Sequence, residues 1–235
     1  MLPDKSEEMT KIGGIEQFSK TGTFHTERNL ENQDFFLHSA NDRYEIISLA
    51  DGVSSCANGG IGAAIACNTV NELFTECGAL LFGYTPKKLA HIIAAEVFRR
   101  LVCRAEEMNE PVSSFASTLC FACVEIKSGA LVTFQLGDSR VYTSCGEEYR
   151  CVFGDKALPG FTVCDNAGEL AEVAVLREFD TNGVLLMSDG AWRELEDKAH
   201  SDRIPACGGA YELKTFFEKT LCMDDCSFIF MDFEK

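Results

Sequence analysis

Hydrophobic and polar positions change period several times along the chain. Short apolar runs at 11–18, 34–38 and 43–50 are bounded by turn formers and read as strands, the second and third pairing across Ala40-Asn41-Asp42. From about Ile61 to Cys77 the period lengthens, with Ile61, Ile65, Thr69 and Leu73 beside Val70 and Phe74 on one helical face. Thr85-Pro86 is a helix start, a capping hydroxyl before a proline at the first helical position, and Leu89, Ile92, Ile93, Val97 and Leu101 carry an apolar stripe to about Met108. Two adjacent antiparallel helices are expected. Strands follow at about 116–127, 130–136 and 139–144, the first two joined by Lys127-Ser128-Gly129. Residues 154–171, with Pro159, read as a loop that could move over a site. Strands at 172–178 and 183–188, a short helix after Gly190, a helix at 210–220 and a strand at 226–233 complete the chain. Strands, two helices, more strands, a helix and a strand predict an α+β fold with helices packed on antiparallel sheets, not a βαβ winding.

At 235 residues one domain with a sizeable core is expected over 11–235, preceded by a charged, flexible segment at 1–10. The 21 Lys and Arg against 37 Asp and Glu give a formal charge of −16, which argues against nucleic acid and anionic membrane as partners. Twelve cysteines suggest a disulfide scaffold until their positions are read. Cys67, Cys103, Cys120, Cys123 and Cys226 lie in apolar segments, where a reduced thiol is a small hydrophobe. Cys120 and Cys123 form a C-x-x-C, but on a strand they face opposite ways and no second pair stands at zinc spacing. No signal-peptide pattern or apolar stretch of membrane-spanning length is present, and reduced thiols then point to the cytoplasm.

Candidate chemistry lies where the apolar runs stop. Ile46 to Ala50 ends on Asp51-Gly52, Leu131 to Leu136 on Gly137-Asp138-Ser139, and Val184 to Ser188 on Asp189-Gly190, while Asp224-Asp225 precedes the last run. If those strand ends converge, their carboxylates form an all-oxygen site for hard divalent cations.

The ordered pieces Asn32-Gln33-Asp34, Ala50-Asp51-Gly52, Gly137-Asp138-Ser139-Arg140, Ser188-Asp189-Gly190-Ala191-Trp192 and Asp224-Asp225-Cys226-Ser227 resemble those of the metal-dependent, type 2C (PPM) protein phosphatases over about Gly13 to Phe233. Gly22-Thr23-Phe24-His25 is closer to the short bacterial branch. The resemblance implies a four-layer α-β-β-α sandwich, two antiparallel sheets flanked by antiparallel helix pairs, with two Mn²⁺ or Mg²⁺ ions at one end. It implies that Asp51 bridges both ions with the Gly52 carbonyl adding an oxygen, that Asp189 and Asp224 hold the other side, and that Asp34 acts mainly through water. Asp138 matches a residue that, with Asp189, can hold a third, weaker ion. Asp34, Asp51 and Asp189 would then be the catalytic acids, since short, rigid carboxylates on few positions suit ions that keep most of their water. The activity implied is hydrolysis of phosphoserine or phosphothreonine in a phosphoprotein supplied by a cognate kinase, by a monomer.

Three positions depart from the pattern. Val53 stands where many eukaryotic members carry a His proposed to protonate the leaving group, and Gln33 where they carry Glu, so one ion is expected to bind more weakly. The phosphate-binding Arg falls out of register: Arg28 stands six residues before Asp34, and counting from Gly22 puts His25 in that slot, leaving both as candidates for the substrate phosphate. Trp192 is expected to pack behind the metal loop, and His38, His91 and His200 show no partner spacing. Two other readings stand beside the favoured one: a catalytically weak relative that binds a phosphoprotein without turning it over, and a hydrolase of small phosphomonoesters.

Overall fold

The period-two runs form two antiparallel sheets. The computed structural model describes residues 10–145, 148–154, 160–176, 181–196, 203–205 and 210–234. In chain order these hold β1 (Lys11–Lys20), α1 (Thr23–Thr26), β2 (Asp34–Ala40), β3 (Tyr44–Asp51), α2 (Gly59–Leu81), α3 (Pro86–Met108), a 3-10 turn (Val112–Phe115), β4 (Leu119–Glu125), β5 (Ala130–Leu136), β6 (Arg140–Cys145), β7 (Glu148–Cys151), α4 (Ala167–Leu170), β8 (Glu172–Leu176), β9 (Gly183–Met187), α5 (Asp189–Leu195), β10 (Arg203–Pro205), α6 (Ala210–Lys219) and β11 (Cys226–Glu234). One sheet has the order β1-β11-β9-β6-β7-β10 and the other β2-β3-β4-β5-β8, and the chain changes sheet after β1, β5, β7 and β8.

Strand alternation sorts the apolar side chains into three cores. On β3, Ile46 and Ala50 turn towards α2 and α3, whereas Ile47 and Leu49 turn towards the other sheet. Cys123 and Cys120 on β4 divide in the same way, as their spacing predicts. A third core joins Tyr142, Leu185 and Phe228 to Trp192 of α5 and to Leu213 and Phe217 of α6. The layers are therefore α2 and α3, five strands, six strands, then α5 and α6. The flanks are unequal: α2 and α3 have 23 residues each, α5 seven and α6 ten. Phe121 stacks on Phe134 at 5.1 Å in the first core, where truncating such a ring to Ala costs about 3–5 kcal/mol.

The start of α3 is the one the sequence predicts: Thr85 accepts from the Lys88 amide, Pro86 opens the helix, and Asn109 closes it with φ 53°. α2 begins at Gly59 and extends to Leu81, longer at both ends than its apolar face predicts. The strand expected from 116 begins at Leu119, after the 3-10 turn. α1, β7, α4 and β10 are only three or four residues long, too short to show a period.

The loop expected over a site is instead docked along its described part. Thr162 bonds Ser117 through both backbone and hydroxyl, Ala167 is buried, and Gly168 packs on His91 of α3. The segment expected to be flexible lies, apart from Thr10, outside the described residues. No helix among the described residues is long and apolar enough to cross a membrane, and the ten cysteines whose side chains are described are free thiols.

Candidate metal centre

Five strand ends bring the acids to one edge of the sandwich. Asp34 opens β2 and Asp51 closes β3, and the two face each other in the ladder. In the other sheet Met187 of β9 pairs with Arg140 of β6 on one side and Phe228 of β11 on the other. The residues just beyond those ends are Asp189, Asp138 and the Asp224-Asp225 turn. A hydroxyl bridge ties the sheets together here. Thr118 Oγ1 accepts from the Asp51 amide at 2.9 Å and lies 2.7 Å from Ser139 Oγ, beside Asp138.

Asp225 closes the edge from beneath. Its carboxylate accepts from the Gly22 amide (2.9 Å) and the Gln33 amide (2.6 Å) and lies 2.7 Å from His25 Nδ1. One carboxylate thus clamps the first motif to the last. The backbone packs as tightly: a Cβ on Gly22 would lie 2.3 Å from the Asp224 carbonyl carbon, and one on Gly190 2.2 Å from the Asp225 oxygen. Only glycine permits that approach.

Crowding of the acids is visible in their protonation. Burial first, then the charges of Asp34, Asp189, Asp224 and Asp138, push the Asp51 carboxyl well above the usual carboxylate range. Four other acids of the edge therefore act on Asp51. Burial also raises Asp34 to about 7, with Asp225 and Asp189 adding to the rise and the Ser227 and Ser188 hydroxyls offsetting part of it. Asp189 is raised by burial and by Asp138, against the pull of Arg193. Both oxygens of Asp34 and Oδ1 of Asp189 are buried without a hydrogen-bond partner. Such atoms are costly unless a cation or proton completes them.

Of the two phosphate candidates, His25 is buried and Arg28 is exposed. His25 is 1% exposed, and its Nδ1 is spent on Asp225, because α1 turns the imidazole inwards beneath the site. Arg28 stays at the surface, with its guanidinium 3.8 Å from the Phe24 ring and donating to the Phe24 carbonyl at 2.8 Å. The Gly52 carbonyl lies at the same edge, and the orientation of the Gln33 amide that satisfies its neighbours places its nitrogen 3.1 Å from that oxygen. His38 pairs with Glu45, His91 bonds the Lys87 carbonyl, and His200 lies outside the described residues.

Three contributors escape the sequence reading. Asp225 matched only a neutral Asn. Thr118 lies in no motif. Arg193 binds Asp189 Oδ2 at 2.5 Å and stands 3.5 Å from Asp138 Oδ2. Its spacing, four residues after Asp189 on a helix, was the available signal. Trp192 does pack behind the loop, as expected: its Nε1 donates to the Asp138 carbonyl at 2.8 Å.

Residues 21–221 match the family model described as protein phosphatase 2C. The chain belongs to the protein phosphatase 2C family. No curated protein sequence matches it. Among solved structures, the fold is similar to that of this family's serine/threonine phosphatase Stp1 from Staphylococcus aureus, with a TM-score of 0.69, 15% identity and 100% of both chains covered. It is also similar to the S. agalactiae serine/threonine phosphatase, at a TM-score of 0.66 and 14% identity over 94% of this chain and 99% of that one. RsbX, solved in complex with magnesium, aligns at a TM-score of 0.57 and 13% identity over 96% of this chain and 100% of that one.

A hard divalent ion fits the donors of this phosphatase-family chain. They are all oxygen, three are buried and unpartnered, and their mutual repulsion is relieved by positive charge. Among the described residues no three Asp, Glu, His or Cys side chains converge as a ready-made cage.

Proposed function

We propose that this chain is a phosphoprotein phosphatase that hydrolyses phosphoserine or phosphothreonine with Mn²⁺ or Mg²⁺. The observation that supports it most is the crowding of Asp51 by four other acids at one sandwich edge. Asp51, with Asp34 and the Gly52 carbonyl, and Asp189 with Asp224, would hold two ions. The ions would lower the pKa of a water nucleophile and neutralise charge on the phosphoryl group.

The protein's own part is to hold the acids and the substrate. Asp225 fixes the first motif against the last, and Thr118 fixes Asp51 against the Asp138 loop. A groove of about 790 Å³ beside Asp34, lined by Asn32, Phe35, Asn58, Ile61 and Arg104, would take the chain around the phosphorylated residue. Arg28, the cation left at the first motif, would meet its phosphate. With Val53 in place of an acid, leaving-group protonation falls to solvent. The substrate would be a phosphoprotein made by a cognate kinase, met in the cytoplasm by a monomeric enzyme.

Purified protein with Mn²⁺ should release phosphate from a phosphoserine peptide and stop when chelator is added. Turnover that survives complete metal removal would overturn the reading. The other reading, a binder without turnover, has Val53 and the displaced Arg28 in its favour; tight phosphopeptide binding with no phosphate release at saturating Mn²⁺ would select it.

A further inference from the structure

The carboxylates of Asp138 and Asp189 already share a cation. Arg193 Nη1 lies 2.5 Å from Asp189 Oδ2 and Nη2 lies 3.5 Å from Asp138 Oδ2, so one planar guanidinium spans both acids with its two terminal nitrogens. The arrangement is built from several sides. Asp189 and Arg193 are one turn apart on α5, so helix geometry holds them together. The Arg193 guanidinium carbon lies 5.3 Å from the Trp192 ring, and the indole N–H of Trp192 fixes the Asp138 carbonyl. The contact also divides the work of Asp189. Its Oδ2 is engaged by Arg193, whereas its buried Oδ1 has no hydrogen-bond partner.

We propose that Arg193 is a tethered cation standing in the place between Asp138 and Asp189 where a third, weaker divalent ion would otherwise bind, so that this chain operates with two ions. The inference rests on the two-ion reading above. A guanidinium stays charged at every working pH, and being attached it competes at an effective concentration that a weakly held ion in solution does not reach. It also repels a divalent ion that approaches the same two oxygens. Arg193 thereby becomes a specificity-determining residue for metal stoichiometry, and Trp192 a positioning residue for it.

Counting bound Mn²⁺ by equilibrium dialysis of the full chain at millimolar metal tests this, alongside phosphate release. Wild type should hold two ions per chain. R193A and R193Q should each hold three, and R193A/D138N should fall back to two, which a merely structural role for Arg193 would not produce. Using two uncharged replacements guards against one of them folding poorly. Three ions on wild type, or two on both single variants, would overturn the Arg193 proposal and leave the metal-dependent phosphatase reading standing. No ion on wild type would sink that reading and this one with it.

Discussion

His25 and Asp225 form a buried pair, Nδ1 to Oδ2 at 2.7 Å, with side chains 1% and 3% exposed. The same carboxylate holds two backbone amides from the first motif, so three donors depend on it. Asp225→Ala should cost about 3–5 kcal/mol, because each donor would be left buried and unsatisfied. Urea denaturation of the metal-free protein measures this. A loss under about 1 kcal/mol would mean that the clamp does not hold the edge together.

Asp51→Asn and Asp189→Asn should separate activity from stability. Each removes a carboxylate that its neighbours crowd, so phosphate release should fall by about 100-fold or more while the metal-free fold is preserved or gains in Tm at pH 8. Tm and kcat measured on the same preparations decide it. Both falling together would point to a structural role instead.

pH dependence follows from Asp34, whose carboxyl is raised from 3.8 to about 7 by burial. Between those values the folded chain holds a proton that the unfolded chain has lost. Asp34's contribution is therefore fully present below about pH 4 and is lost as pH rises through about 7. Asp51 and Asp189 are shifted in the same direction. With chelator, Tm should be lower at pH 8 than at pH 5.5, and Mn²⁺ at pH 8 should restore it. Metal binding near pH 6.5 should release protons, seen by calorimetry in buffers of different ionisation enthalpy.

Trp192 is the only tryptophan and bonds the Asp138 carbonyl, which makes its fluorescence a local reporter. Paramagnetic Mn²⁺ should quench it in wild type and much less in Asp51→Asn. Trp192→Phe should lose about 1 kcal/mol through the missing N–H donor.

Arg28 is exposed and rests on Phe24. Arg28→Ala should change stability by less than about 0.5 kcal/mol while raising KM for a phosphopeptide about tenfold or more. An unchanged KM would remove Arg28 from the phosphate.

The strands and the two long helices were legible because their burial is periodic. Ile46 and Ile47, adjacent in sequence, announce a strand with two apolar faces, and each goes to a different core. β7 and β10 were not legible, because three or four residues at a sheet edge carry no period. At the site, Asp34, Asp51, Asp138, Asp189 and Asp224 could each be picked out as an acid beside a strand end. His25 could not be judged from its spacing to Gly22, since that count does not say which way a four-residue helix turns its imidazole.

Local patterning determined the elements and the family-like order of acids, because hydrophobic period and turn chemistry act over a few residues. Only the tertiary structure decided which groups meet. Asp225 reaching Gly22 and Gln33, Thr118 bridging Asp51 to Ser139, and Arg193 spanning Asp138 and Asp189 all depend on how two sheets stack and on where their strand ends fall. Electrostatic coupling varies with distance through space, and distance along the chain does not supply it.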